Sequence, residues 1–485
     1  MDQYRKPTLL QSFIPIIVLV ALLVVNVRFV YGDSSLDGAN QITLLVSAAV
    51  AGIIALYNGY RWNDIMHGIE KSIKSALSAL IILLLIGSLA GTWLISGVVP
   101  AMIYYGLDIL SPTIFLFATC VISSIVSVAT GSSWSTVATV GIALLGIGKA
   151  LGISDGLIAG AIISGAYFGD KMSPLSDTTN LAPAMAGTDL ITHIKYMAYT
   201  TIPSIVITLI IFLVIGFFYD GSGQVTEIDT LKSAIASKFN ITPWLFVVPL
   251  LVIVLIVKKM PAIPALLIGS ILGGVFAIIF QPDLINSLSG ETNFMLGSYK
   301  TVVDAMTTDV AIVTENELVN DLLTSGGMSG MLNTIWLIVC AMTFGGVMEQ
   351  CGMLKRITQS IINLAKSTGS LIATTASSCV VFNLTASDQY LAIVVPGRMF
   401  AEEYRERDLH PKVLSRTLED SGTVTSALIP WNTCGAYHSG VLGIATGDYW
   451  MYCFFNLISP LMTMVFGYLG IKIARLEHNE NKEEL

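Results

Sequence analysis

Long uninterrupted apolar runs dominate the chain, in place of the alternating or three-to-four spacing that marks a half-buried soluble element. Uncharged stretches fill residues 10–27, 38–60, 75–107, 109–148, 196–219, 239–257 and 322–348. A helix needs about 20 apolar residues to cross a hydrocarbon core of about 30 Å, so each stretch predicts at least one crossing. Residues 109–148 exceed one crossing, since roughly 40 residues make about 60 Å of helix. Thr130-Gly131-Ser132-Ser133 interrupts that stretch. It therefore predicts a re-entrant hairpin returning to the face it left, with 367–398 as its counterpart on the opposite face.

Composition sharpens this pattern. Of 485 residues, 54% are hydrophobic and 12% charged, where a soluble domain carries roughly 25%; a water-soluble enzyme is excluded. The net charge of −8 says little about partners, because acids and bases occupy different loops, and nothing points to nucleic acid. Arg5 and Lys6 precede an apolar run without a small-residue cleavage site, so the start reads as a retained first helix. Six cysteines show no paired spacing and read as packing residues.

The distribution of charge orients the chain, since basic residues mark cytoplasmic loops. Arg61, Lys71 and Lys74, then Lys258 and Lys259, then Lys355, Arg356 and Lys366, then Arg398, Arg405, Arg407, Lys412 and Arg416 read as inside. The loops 31–41, 97–111 and the acidic 281–329 read as outside. Landmarks also recur about 255 residues apart: Gly91 and Gly97 with Gly346 and Gly352, Thr130 with Thr385, and Ser173 to Thr178 with Leu428 to Thr433. The first half opens inside and the second outside, so the repeat reads as inverted. The expected fold is an all-α polytopic membrane protein of about ten spanning helices plus two re-entrant hairpins, with helices broken at the midplane. The first repeat takes 1–220, an extracytoplasmic linker 221–242, the second repeat 243–475 with an extracytoplasmic loop 282–330, and a cytoplasmic tail 476–485. Both termini are expected in the cytoplasm of a prokaryote, the chain passing repeatedly through the inner membrane.

Ions inside such spans are costly and mark function by default. Asp170, Lys171 and Asp177 fall in one crossing, together with Ser173, Pro174, Ser176, Thr178, Thr179, Asn180 and Pro183. Pro174 removes a backbone donor and should unwind the helix there, which is tolerated where the backbone lines a cavity or is buried in protein. Carboxylate, hydroxyl and carbonyl oxygens suit a hard cation such as sodium, with Asp170 and Asp177 as its charged ligands, and the segment lacks the His and Cys of a zinc site. One acid can then bind proton or cation in turn, which gives antiport without a separate coupling device. In the second half Pro430 breaks the symmetric span beside Asn432 and Thr433, while the hairpin tips add Ser132, Ser133, Ser387 and Asp388. Lys171, Glu349, Glu419, Asp420 and His438 are candidate relays or charge partners. No cofactor is expected beyond the transported sodium and protons.

The motifs Gly131-Ser132-Ser133-Trp134-Ser135-Thr136 and Gly160 to Ala182, with Ser387-Asp388-Gln389-Tyr390 and Ile429-Pro430-Trp431-Asn432-Thr433-Cys434-Gly435, closely resemble the NhaC family of sodium/proton antiporters. The match covers nearly the whole chain and weakens at 281–329. It implies inverted repeats with re-entrant hairpins and exchange of sodium for protons. Some relatives resemble exchangers of organic anions such as malate and lactate, coupled to protons and sodium, so that substrate class stays open beside the first. Such an exchanger would lean on Lys171 and Asn432. An intramembrane aspartyl protease is disfavoured, because Phe168-Gly169-Asp170 lacks the first glycine of its Gly-x-Gly-Asp pattern. The lipid bilayer and a second copy of the chain are the expected partners.

Overall fold

The computed structural model describes residues 4–31, 38–109, 111–218, 225–314, 320, 322–362 and 365–476. The expected tail beyond 476 lies outside them. Helices carry the architecture, and the strands within the described residues form one short antiparallel ribbon, Val310–Ala311 with Thr324–Ser325. Six helices are long and apolar enough to cross a bilayer, and two bent pairs raise that to eight by length and composition. This is an integral membrane protein. The segments carrying Asp170 and Asp420 fall outside that apolar count because charges and breaks interrupt them.

Local chemistry sets the boundaries. Pro112–Thr130 starts with a proline in its first turn, where no backbone donor is missed, and stops at Gly131, whose φ of 71° suits a residue without a β-carbon. Asp155–Met172 ends three residues after Gly169, the chain is non-helical from Ser173 to Ser176, and Asp177–Ala186 begins under a Ser176 cap. In the second half Thr368–Thr385 leads to Gln389–Glu406 under an Asp388 cap. Pro411–Leu418 continues as a π-helical turn, Glu419–Thr423, before the chain breaks at Ile429 and restarts as Thr433–Leu442 under Asn432. Trp62–Ile95 and Leu332–Gln350 end 255 positions apart, as do Pro112–Thr130 and Thr368–Thr385. Ala39–Tyr57 and Ala262–Phe280 are both 19 residues long.

Three local expectations are corrected. The loop expected at 97–111 contains the helix Val98–Ile109. The basic stretch 61–74, read as a loop, is the start of the 34-residue helix Trp62–Ile95, which spans about 51 Å and so carries its charged first turns beyond the hydrocarbon. Arg416, read as a loop charge, is fully buried in Pro411–Leu418, its guanidinium 4.7 Å from the Tyr196 ring centroid. A charge count along the sequence cannot separate a loop arginine from one on the inner face of a short helix.

Asp155–Met172 packs most extensively against Pro112–Thr130, and small residues permit it. A β-carbon at Gly165 would fall 2.2 Å from the Cys120 carbonyl oxygen, and one at Gly169 would fall 2.4 Å from that of Ser124. The six cysteines are free and buried. On the far side, residues of the 282–330 segment lie against the long helix, where Ser88 Oγ donates to the Met306 carbonyl at 2.9 Å.

Candidate functional site

Asp170 stands in the last turn before the first break and is 7% exposed. The close approach at Gly165 and Gly169 places it opposite the interruption after Thr130. Ser133 donates to Asp170 Oδ2 twice, from its N–H at 3.1 Å and its Oγ at 2.6 Å. Ser132 caps the returning helix, accepting from the Ser135 N–H at 3.2 Å. A carboxylate at a helix N-terminus meets free amides and the positive end of the dipole, both of which favour negative charge there.

Unwinding frees backbone groups, and nearby side chains answer them. The Asp170 carbonyl accepts the Ser173 N–H at 3.1 Å. Thr179 Oγ1 donates toward the carbonyls of Asp170 at 3.3 Å and Lys171 at 3.1 Å. Asn180 Nδ2 donates to the carbonyls of Pro174 at 3.0 Å and Ser176 at 2.7 Å. The buried Ser173 Oγ accepts the Leu175 N–H at 3.2 Å. These bonds make a rigid break rather than a slack loop. Asp177 lies in the first turn after it and is exposed. Both aspartates line one cavity of about 830 Å³, together with Ser132, Ser176, Thr178, Lys259 and Tyr390.

Behind this wall the two halves meet through charge. The Lys171 ammonium forms a fully buried ion pair with Asp420 and donates to Ser459 Oγ at 2.8 Å. Thr200 Oγ1 donates to the other Asp420 oxygen at 2.8 Å. Thr178 Oγ1 donates to Glu419 Oε1 at 2.9 Å, while Glu419 Oε2 has no partner among the described residues.

The second break forms its own knot. Ser387, in the left-handed region at φ 58°, accepts the Thr433 N–H on its carbonyl at 3.0 Å. Asp388 Oδ1 accepts the Leu391 N–H at 2.9 Å. Asn432 Nδ2 donates to the carbonyl and Oδ1 of Asn383 at 3.1 and 3.0 Å, and Thr433 Oγ1 donates to Asn432 Oδ1 at 3.4 Å. His438 Nε2 lies 3.1 Å from the Tyr167 hydroxyl, one turn before Asp170. Glu349 pairs with Lys71 at 3.1 Å. Among the described residues no group of three or more His, Cys, Asp or Glu is gathered as a metal site; the oxygens around the break are mostly hydroxyl and backbone.

The model of the Na+/H+ antiporter family matches residues 165–471, from just before the first break to the end of the last helix. The chain belongs to the Na+/H+ antiporter family. It is 38% identical to the Na+/H+ antiporter NhaC of Alkalihalophilus pseudofirmus, across 91% of this chain and 93% of that one. It is 37% identical to the malate-2H+/Na+-lactate antiporter of Bacillus subtilis, across 100% and 99%. It is also 34% identical to the arginine/ornithine antiporter ArcD of Halobacterium salinarum, across 100% and 96%.

Several residues of this Na+/H+ antiporter family member escape a reading of its sequence. Thr200 and Ser459 complete the Lys171–Asp420 pair, and Trp134 stacks on Tyr437 with centroids 3.9 Å apart, tying the first hairpin tip to the second break. A signal for Thr200 exists, because Thr200, Ser204 and Thr208 recur every four residues along an otherwise apolar helix. None exists for Trp134 and Tyr437, which are ordinary aromatic residues 303 positions apart.

Proposed function

We propose that this protein exchanges sodium ions for protons across the cytoplasmic membrane by alternating access, with Asp170 as the carboxylate that takes either ion and Asp177 as a second charged ligand facing the cavity. The observation that carries this is the position of Asp170. It sits at a helix break on a cavity wall, with a helix N-terminus and a hydroxyl aimed at it. Ser132, Ser133, Ser173, Thr178, Thr179 and Asn180 shape that break. Corresponding helix ends 255 to 256 positions apart support a repeat, in which Asp388, Asn432 and Thr433 form the partner of the site. Lys171, Asp420 and Glu419 then bind one repeat to the other. The cavity is bordered by Lys259, which the excess of basic residues assigns to the cytoplasmic side.

A second reading, exchange of a small organic anion coupled to sodium and protons, is favoured by the volume of the cavity, which is ample for a dicarboxylate. Its lining argues the other way. Two carboxylates face the cavity against one ammonium, Lys259, and Lys171 is already engaged by Asp420. The cation reading therefore stands first.

The decisive experiment uses purified protein in sealed proteoliposomes with a pH-sensitive dye. Sodium alone is expected to drive proton movement, and Asp170→Asn, which keeps size but cannot ionise, to abolish it. Full exchange by that variant would remove Asp170 from the mechanism, and movement that appears only with added malate, lactate or an amino acid would establish the second reading.

A further inference from the structure

The helix Leu190–Phe217 carries an exposed stripe of Ile202, Val206 and Ile210 at helical spacing, the surface a membrane-embedded helix turns to acyl chains. At its N-terminal end the stripe changes character. Lys195 and Tyr199, both exposed and one turn apart, replace the aliphatic residues. The exposed Lys472, just past the neighbouring helix Phe454–Leu469, holds its ammonium 5.1 Å from the Tyr199 ring centroid.

At the end of an apolar seam one tyrosine thus has the Lys472 ammonium over its ring and the exposed Lys195 one turn before it on the helix. Neither lysine forms an ion pair among the described residues, so both ammonium groups are open to an anion. The backbone beneath them is fixed. Tyr196 donates its hydroxyl to the Lys472 carbonyl, and the His410 N–H donates to the Ala474 carbonyl at 3.0 Å. The acid at the start of the same helix, Asp189, is occupied as its cap, accepting the Thr192 N–H at 2.9 Å.

We propose that this seam binds an anionic phospholipid, its phosphate held by Lys195 and Lys472 and its acyl chains lying along the exposed face of Leu190–Phe217. The chemistry is complementary at both ends: two exposed lysines beside an amphipathic tyrosine at one end, and aliphatic side chains below. A second copy of the chain would bring the same two lysines to the contact and set like charges against each other. Lysine stems also reach to the headgroup layer while their methylenes stay in apolar surroundings. The site lies outside the cavity that holds Asp170 and requires nothing of the transport reading.

The test is native mass spectrometry of the full chain released from nanodiscs of mixed phosphatidylglycerol and phosphatidylcholine, paired with thermal unfolding in each lipid alone. Wild type is expected to retain phosphatidylglycerol selectively and to unfold at higher temperature in it. Each lysine near a headgroup contributes about a fivefold preference, so Lys195→Gln with Lys472→Gln should lose selectivity at least about tenfold. Lys195→Arg with Lys472→Arg should keep it, which separates lost charge from lost folding. Equal retention of both lipids by wild type, or undiminished selectivity in the glutamine variant, would overturn the proposal. Equal stabilisation by free glycerol phosphate would reassign the site to a soluble phosphate. A change of oligomeric state in the glutamine variant without a change in lipid retention would assign the face to a second copy.

Discussion

Lys171 and Asp420 pair without contact with water, and each is tolerable there only because the other is present. Thr200 and Ser459 supply the remaining hydrogen bonds, so the pair is a connected network rather than two isolated ions. Asp420→Asn leaves an uncompensated ammonium and is expected to cost about 3–5 kcal/mol, read as a large fall in the unfolding temperature of purified protein. Replacing both, as Lys171→Met with Asp420→Leu, should recover most of that loss, since a buried pair exchanged for apolar residues of similar size is often near neutral. If the double variant is no more stable than Asp420→Asn alone, the pair is not what stabilises this contact. The presence of Asp170, Lys171 and Asp177 in a membrane crossing is plain from the sequence, because charges are scarce there. Which carboxylate answers Lys171 is not, since Glu419 and Asp420 are adjacent and only the fold turns one toward Lys171 and the other toward Thr178.

The helix Asp155–Met172 shows how an element serves a residue one turn away. Gly165 and Gly169 bring it so close to Pro112–Thr130 that backbone carbonyls occupy the space of their absent β-carbons. That approach also holds Ser133 against Asp170. Gly165→Val should push the helices apart, lower stability by at least about 2 kcal/mol through overpacking, and reduce exchange per folded molecule more than tenfold as Ser133 withdraws. Exchange at the wild-type rate in folded Gly165→Val protein would separate helix packing from the site. Both breaks are legible from Pro174 and Pro430, because a proline inside an apolar run has few ways to be accommodated. The π-helical turn Glu419–Thr423 is not legible. It adds one residue to a turn and aims two acids inward, an outcome of packing and not of propensity.

At the scale of the molecule, two cavities among the described residues meet the long helix Trp62–Ile95 at different levels, one at Ser75 to Ile82 and the other at Ala90 and Leu94. One contains Asp170 and Lys259; the other contains Lys149, Asp309 and Ser325, beside the short β-ribbon. Alternating access requires them to open to opposite sides. Ser78→Cys, on the first cavity, and Ser325→Cys, on the second, should therefore react with an impermeant maleimide from opposite faces of sealed vesicles. The buried native cysteines should stay unlabelled. Labelling of both from one face would contradict the inverted arrangement.

By itself the sequence determines that the chain lives in a membrane, where it is broken, and which few charges need an explanation. All of these follow from the cost of placing polar groups and irregular backbone in hydrocarbon, a cost that acts residue by residue and so leaves its mark on composition and spacing. Only the tertiary structure decides that Ser133 holds Asp170, that Asp420 rather than Glu419 takes Lys171, and that Arg416 is buried against Tyr196. Those choices depend on how helices hundreds of residues apart rotate against one another, and no local preference records that rotation.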